Sequence, residues 1–236
     1  MAGLASAVLA LVILLSPVSA RAGDLFTGFQ MDGEAQYFAF LGVKEDLPWE
    51  YLGIKGYAQF FAAGQSYEYE SGTRDIEADV QFLIPSLGVT KSLGDGAWST
   101  SALVGPKLRW KQEHGFPNDV GSKFDVGVFL QADAMYWQET HSVQAIVSYA
   151  SLDDFFFGRV RGKLRAFSPE AGCCSLFAGM DVAGMGNNDF SSFQIGPLVE
   201  VPFGRFFVLA RGGYQYDSTF NSGGYGGLEI DRKSVV

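Results

Sequence analysis

The 236 residues carry 17 Lys and Arg against 26 Asp and Glu, a net charge of −9, with 30 Gly and 15% aromatic side chains. That acidity argues against a nucleic-acid partner. Charged residues make up only 18%, against about 25% in an average soluble domain. With so much Gly, Phe and Tyr, the chain favours tight turns and pleated strands over helices. The two cysteines, Cys173 and Cys174, are adjacent and give no disulfide framework.

The chain opens on a short apolar run, Leu4 to Leu15, followed by Pro17 and the small-x-small sequence Ala20-Arg21-Ala22. This predicts a signal peptide over residues 1–22 and one mature domain over 23–236. The 12-residue run is short for a membrane-spanning helix, which needs about 20 residues, and no Cys follows it for a lipid anchor. Without Arg21 the mature chain has 16 cations against 26 acids.

After residue 22 the recurring signal is alternation with period two, the mark of strands with two unlike faces. It predicts about twelve strands, near 25–31, 36–44, 51–68, 75–91, 97–112, 123–138, 142–151, 155–167, 175–185, 191–202, 206–217 and 224–232. Between Ile76 and Ile84, an apolar row of Ile76, Ala78, Val80, Phe82 and Ile84 opposes Asp75, Glu77, Asp79 and Gln81. From Ala97 to Lys111, the row Trp98, Ala102, Val104, Leu108 and Trp110 opposes Lys107, Arg109 and Lys111. Trp98 and Trp110 lie 12 residues apart, roughly 30 Å of height on a strand tilted by ~40°. That is one aromatic at each membrane interface. Between Phe124 and Tyr136 the polar row is Asp125, Gln131 and Asp133, and from Phe156 to Ala166 it is Arg159, Arg161, Lys163 and Arg165.

Connections alternate in length. Those at Glu45 to Trp49, Gly94 to Gly96, Glu139 to His141 and Phe203 to Arg205 are short; Tyr69 to Arg74, Glu113 to Ser122, Gly186 to Ser191 and Ser218 to Gly223 are longer and polar. Even strand number and alternating loops predict an all-β, antiparallel, up-and-down transmembrane β-barrel of about 12 strands, with lipid outside. A soluble barrel has the same period with its faces exchanged. The paired tryptophans, the strand count and charge complementarity favour the membrane version. On that reading the acidic row Asp75, Glu77 and Asp79 faces the basic row of the next strand, and Asp181 falls near Arg159. The expected lumen lining is Lys55, Tyr57, Gln59, Asp75, Glu77, Asp79, Lys107, Arg109, Asp125, Asp133, Arg159, Arg161, Lys163, Arg165, Asp181, Glu200 and Arg211. The final run, Gly227 to Val236, closes on two valines where bacterial barrels commonly end on an aromatic residue.

Signals for chemistry are sparse. His114 and His141 are the only histidines and are expected at opposite ends of the barrel, which leaves no zinc pattern. His114 with Ser122 and Asp119 can be drawn as a rim-sited hydrolase, but loops are rich in such residues for turn reasons. Gly184-Met-Gly186 lacks the Lys and helix of a phosphate loop, and Asp153-Asp154 reads as a solvated turn. No cofactor, metal site or catalytic residue is expected.

The run Asp154-Phe-Phe-Phe-Gly-Arg-Val-Arg-Gly-Lys163 is followed by Gly186-Asn-Asn-Asp-Phe190, Phe193-Gln-Ile-Gly196, Val201-Pro-Phe-Gly204 and Gly212-Gly-Tyr214. Together with the earlier Tyr67-Glu-Tyr69, it resembles the BcsS family of cellulose biosynthesis proteins from alphaproteobacteria. Gly179-Met-Asp181 stands where that family's pattern leads one to expect Gly-Pro-Glu. The resemblance implies an outer-membrane β-protein of a Gram-negative bacterium, accessory to cellulose or other exopolysaccharide synthesis or export. Its implied partners are outer-membrane lipid, the polysaccharide and other secretion components. It carries over no catalytic residue. A small general porin is the alternative, and a lipid-modifying enzyme a lesser one.

Overall fold

A computed structural model of the chain describes residues 23–33, 36–71, 74–115, 121–168, 175–219 and 222–233. The expected signal peptide, both cysteines, Asp119 and the terminal valines lie outside them. Twelve strands form one closed antiparallel barrel. They are β1 (Asp24–Asp32), β2 (Tyr37–Tyr51), β3 (Ile54–Ser71), β4 (Arg74–Leu93), β5 (Trp98–Gly115), β6 (Gly121–Trp137), β7 (His141–Ala150), β8 (Phe155–Phe167), β9 (Leu176–Gly186), β10 (Ser191–Phe203), β11 (Phe206–Asp217) and β12 (Gly223–Arg232). Each strand pairs with its sequence neighbours, and β1 pairs with β12 to close the ring, so no sheet edge is left unpaired.

Ten of the twelve strands begin and end within a few residues of the positions that alternation predicts. The β2–β3 hairpin differs. The expected turn at Glu45 to Trp49 is instead part of β2, whose pairing with β3 is irregular between Asp46 and Glu50. Pro48 has no N–H to offer a ladder, and a strand accommodates it by bulging rather than ending. The chain reverses later, at Leu52 and Gly53, with φ of +52° and +73°; left-handed values at both central residues suit a tight hairpin. The expected loop at Tyr69 to Arg74 also shrinks, since β3 runs to Ser71 and β4 starts at Arg74. The wall is therefore uneven in height: β3 to β5 have 18 to 20 residues, β8 to β12 only 10 to 13.

Burial alternates strictly along β10 and decides which face is inside. On β10, Ser192, Gln194, Gly196, Leu198 and Glu200 are buried, whereas Phe193, Ile195, Pro197 and Val199 are exposed. The exposed row continues round the ring through Leu87, Val104, Val126, Val147, Val160, Met180 and Leu228. A water-soluble domain does not present a continuous apolar belt of this kind; a lipid-embedded barrel does. Trp98 and Trp110 both belong to this outer face. Trp98 packs tilted against Tyr136 of β6 with ring centroids 4.8 Å apart, and Trp110 against Phe124 at 5.1 Å. Tyr149 with Phe156, at 4.8 Å, and the paired Phe193 and Tyr216 continue the upper girdle. Phe203 and Phe206 flank a hairpin on the lower one.

Candidate functional site: the lumen

The lumen has two unlike sides. On β8 to β12 the inward side chains are charged and interlocked. Arg161 donates from Nη1 and Nη2 to the two carboxylate oxygens of Glu229 at 2.7 and 2.6 Å, and from Nε to Asp181 at 2.9 Å. The first pair joins β8 to β12, four strands away, and so crosses the interior. Arg211 adds an ion pair to Glu229 at 3.1 Å and donates to Gln30 on β1 at 2.7 Å. Arg159 lies 3.4 Å from Asp181 and 3.6 Å from Glu229. Asp181 is 1% exposed; three guanidiniums around it and Glu229 replace the water both carboxylates give up. Below this cluster Lys163 pairs with Glu200, and its ammonium stands 5.4 Å from the Trp137 ring and 5.9 Å from that of Phe177.

On β1 to β4 the inner face is aromatic. Phe61 lies at the centre, with ring centroids 6.2 Å from Phe26, 5.8 Å from Phe40 and 6.2 Å from Phe82. Phe38 completes the group, 5.7 Å from Phe40 and 6.3 Å from Phe82. Glycine makes this possible: a Cβ on Gly42 would stand 2.0 Å from the Phe26 ring, and one on Gly28 2.6 Å from Phe40. Phe26 and Phe40 thus each lie over a neighbouring strand that has no side chain there. Lysines cap the rings. Lys44 stands 4.0 Å from the Tyr57 ring and Lys107 4.5 Å from Phe82, the geometry of cation–π attraction.

Three smaller polar sets lie between these sides. Arg109 donates to Asp125 at 2.8 Å and also pairs with Asp153 in the β7–β8 turn. Near the lower mouth Asp133 accepts from Ser101, which lies 3.4 Å from the buried Tyr57 hydroxyl. Beyond Trp110 on β5, Lys111 pairs with Glu113 at 2.5 Å, and Tyr69 donates to the same carboxylate at 2.7 Å. These two partners, Lys111 foremost, hold the Glu113 carboxyl below its ordinary pKa.

The structure places Tyr57, Lys107, Arg109, Asp125, Asp133, Arg159, Arg161, Lys163, Asp181, Glu200 and Arg211 on the inner face. Lys55 and Arg165 share its register but are exposed near the lower ends of β3 and β8, outside the network. Glu77 and Asp79 are a correction: they face outward, and the inner row of β4 is Ile76, Ala78, Val80, Phe82 and Ile84. The side chain of Asp75 lies outside the described residues. The cause is height. Asp79 and Glu77 pair with Gln112 and His114, beyond Trp110 on β5, where the taller wall leaves the lipid and an outer face meets water. Lys111 accordingly takes Glu113 on its own strand rather than the acidic row of β4. Sequence reasoning also missed Glu229, although Glu229 and Asp231 alternate with Leu228 and Ile230 as lumen residues should. It misses the phenylalanine group because alternation by itself points every apolar row of a membrane barrel toward lipid. His114, on β5, and His141, at the β6–β7 turn, stand at opposite ends of the barrel.

No protein-family model and no curated protein sequence matches the chain. Solved structures do. The beta domain of the Bordetella autotransporter BrkA is 14% identical with a TM-score of 0.53, over 91% of this chain and all of that one. The translocator domain of autotransporter NalP from Neisseria meningitidis is 13% identical with a TM-score of 0.53, over 98% and 95%. The fold is a twelve-stranded outer-membrane β-barrel. At these identities the likeness covers the fold alone; what fills the lumen is this chain's own.

Proposed function

We propose that this is a non-catalytic outer-membrane barrel that assists secretion of cellulose or a related exopolysaccharide by holding the polymer against the aromatic side of its lumen. The observation that carries this reading is the contiguous group Phe26, Phe38, Phe40, Phe61 and Phe82 on the inner face. A ring face is electron-rich and apolar, and the C–H face of a sugar ring is its natural complement. Ion pairs occupy the facing side, so its charges are already spoken for, which suits an uncharged polymer. The resemblance of the 154–163 and 186–214 segments to the BcsS family supports the choice of cellulose.

The test is calorimetric titration of the detergent-solubilised barrel with cellohexaose, beside cellulose output from cells lacking the gene. Saturable binding that falls at least tenfold in Phe61→Ala is expected, with reduced cellulose output. No binding together with unchanged output overturns the proposal. Steady ion conductance in planar bilayers, indifferent to oligosaccharide, would make the protein a general pore.

A further inference from the structure

The wall of the barrel is tallest at β3 to β6, and its inner face does not end with the membrane. Tyr67 and Tyr69 of β3 lie in the rows of Glu113 and Gly115, three and five residues beyond Trp110 of the upper girdle. Across the barrel, β10 begins two residues before Phe193 and β11 ends one residue after Tyr216, so that wall stops at the girdle. At the height of Tyr67 and Tyr69 no strand faces them among the described residues. The outward face beside them carries Glu68, Glu77 and Asp79, a surface for water and not for lipid.

Below the tyrosines the same inward row of β3 runs through Gln65, Ala63 and Phe61 to Gln59. From Gln59 to Tyr69 it covers about 33 Å of strand, or roughly 25 Å of height at a ~40° tilt. No residue of this row is charged, and neither are its β4 partners Ser86, Ile84, Phe82, Val80, Ala78 and Ile76. Two glutamines on it are uncommitted. Gln30 and the Gln194–Gln215 pair bond to protein partners, whereas Gln59 and Gln65, both half-buried, make no side-chain hydrogen bond among the described residues. The upper rings are held in place: their centroids are 6.1 Å apart, Tyr69 donates to Glu113 at 2.7 Å, and Lys111, 5.5 Å from the Tyr69 ring, neutralises that carboxylate. Ring faces thus alternate with free amides. A ring face suits the C–H face of a sugar, and an amide, with donors and an acceptor, suits hydroxyls that both donate and accept.

We propose that the inward row of β3 is a rail for an extended, uncharged glycan chain, and that Tyr67 and Tyr69 form an external subsite on which the chain rests once it has left the lumen. The length and straightness of the row select an extended chain, and its lack of charge selects a neutral one. This rests on the reading of the phenylalanine group as a glycan site and carries that site beyond the membrane.

The test compares cellotriose with cellohexaose by calorimetric titration of the whole barrel in a detergent without a sugar headgroup. Cellohexaose is long enough to reach from Phe61 to the two tyrosines, and cellotriose is not. In the wild type the longer sugar should bind roughly tenfold more tightly. Tyr67→Ala with Tyr69→Ala should abolish that advantage and leave cellotriose binding unchanged, Gln65→Leu should remove part of it, and Phe61→Ala should weaken both sugars. Glu68→Gln with Glu77→Gln, on the outward face of the same wall, should change neither, and heat-dependent gel mobility confirms folding of each variant. Equal affinity for the two sugars in the wild type, or a tyrosine double variant that keeps the full advantage, overturns the external subsite, while weaker binding by Phe61→Ala still upholds the lumen site. Binding of neither sugar overturns both. An uncharged Gly/Ser peptide of the length of cellohexaose that binds as tightly would make the row a peptide site and overturn the rail.

Discussion

The two sides of the lumen solve the same problem by opposite means. A barrel of twelve strands encloses more space than its backbone fills, and inward side chains must close it. On β8 to β12 the filling is ionic and directional, running between strands that are not neighbours, as Arg161 to Glu229 does. On β1 to β4 it is aromatic and adaptable, built from rings laid over glycines. Ion pairs lock relative strand positions but tolerate no missing partner; rings tolerate a missing neighbour and leave their faces available to a ligand.

The largest effect should come from breaking the ionic side. Glu229→Gln leaves Arg161, Arg159 and Arg211 sharing one carboxylate, Asp181, and should cost about 3–5 kcal/mol of unfolding free energy, the usual penalty for stranding a buried charge. Urea unfolding in detergent micelles reads it directly. A loss below about 1 kcal/mol would mean that lumen water already solvates these groups. The comparison is sharpened at Lys163 and Glu200, a two-member pair. Lys163→Met alone should cost several kcal/mol, while Lys163→Met with Glu200→Met should fall within about 1 kcal/mol of wild type, because no charge is left behind.

Phe61→Ala tests the other side. Phe61 is half-buried and touches three rings, so the cost should be about 2 kcal/mol, below the 3–5 of a fully buried phenylalanine, because lumen water enters the space left behind. If instead this variant unfolds the barrel as readily as Glu229→Gln, the aromatic group is a structural core rather than a ligand surface.

Much of the architecture was legible because a barrel strand writes its environment as a period of two, and sequence neighbours pair in order. Strand number, the direction of β5 to β10, the tryptophan girdles and the Arg159 to Asp181 neighbourhood all follow from that. Alternation says nothing about height, however, and β4 shows the consequence: its polar row lies outside because the wall there stands above the lipid. Nor does it reveal which apolar residues fill a lumen, since Phe38, Phe40 and Phe61 look like lipid-facing residues until pairing sets their side. The expected turn at Glu45 to Trp49 fails for a local reason: Pro48 falls in an irregular stretch of β2, where a proline can be accommodated without ending the strand.

The tall wall offers the smallest and most specific test. Glu113 lies beyond Trp110, where Lys111 and Tyr69 hold its carboxyl below the ordinary value. A carboxyl depressed in the folded state stabilises the fold at pH above its unfolded value, about 4.3, and loses that contribution as pH falls through the lower folded value. Glu113→Gln should therefore cost no more than about 1 kcal/mol at pH 7, as expected for a partly exposed pair. The difference from wild type should vanish as the solution is taken well below pH 4, where both side chains are neutral. A difference that persists undiminished into strong acid would show that the charge of Glu113 is not what the substitution removes.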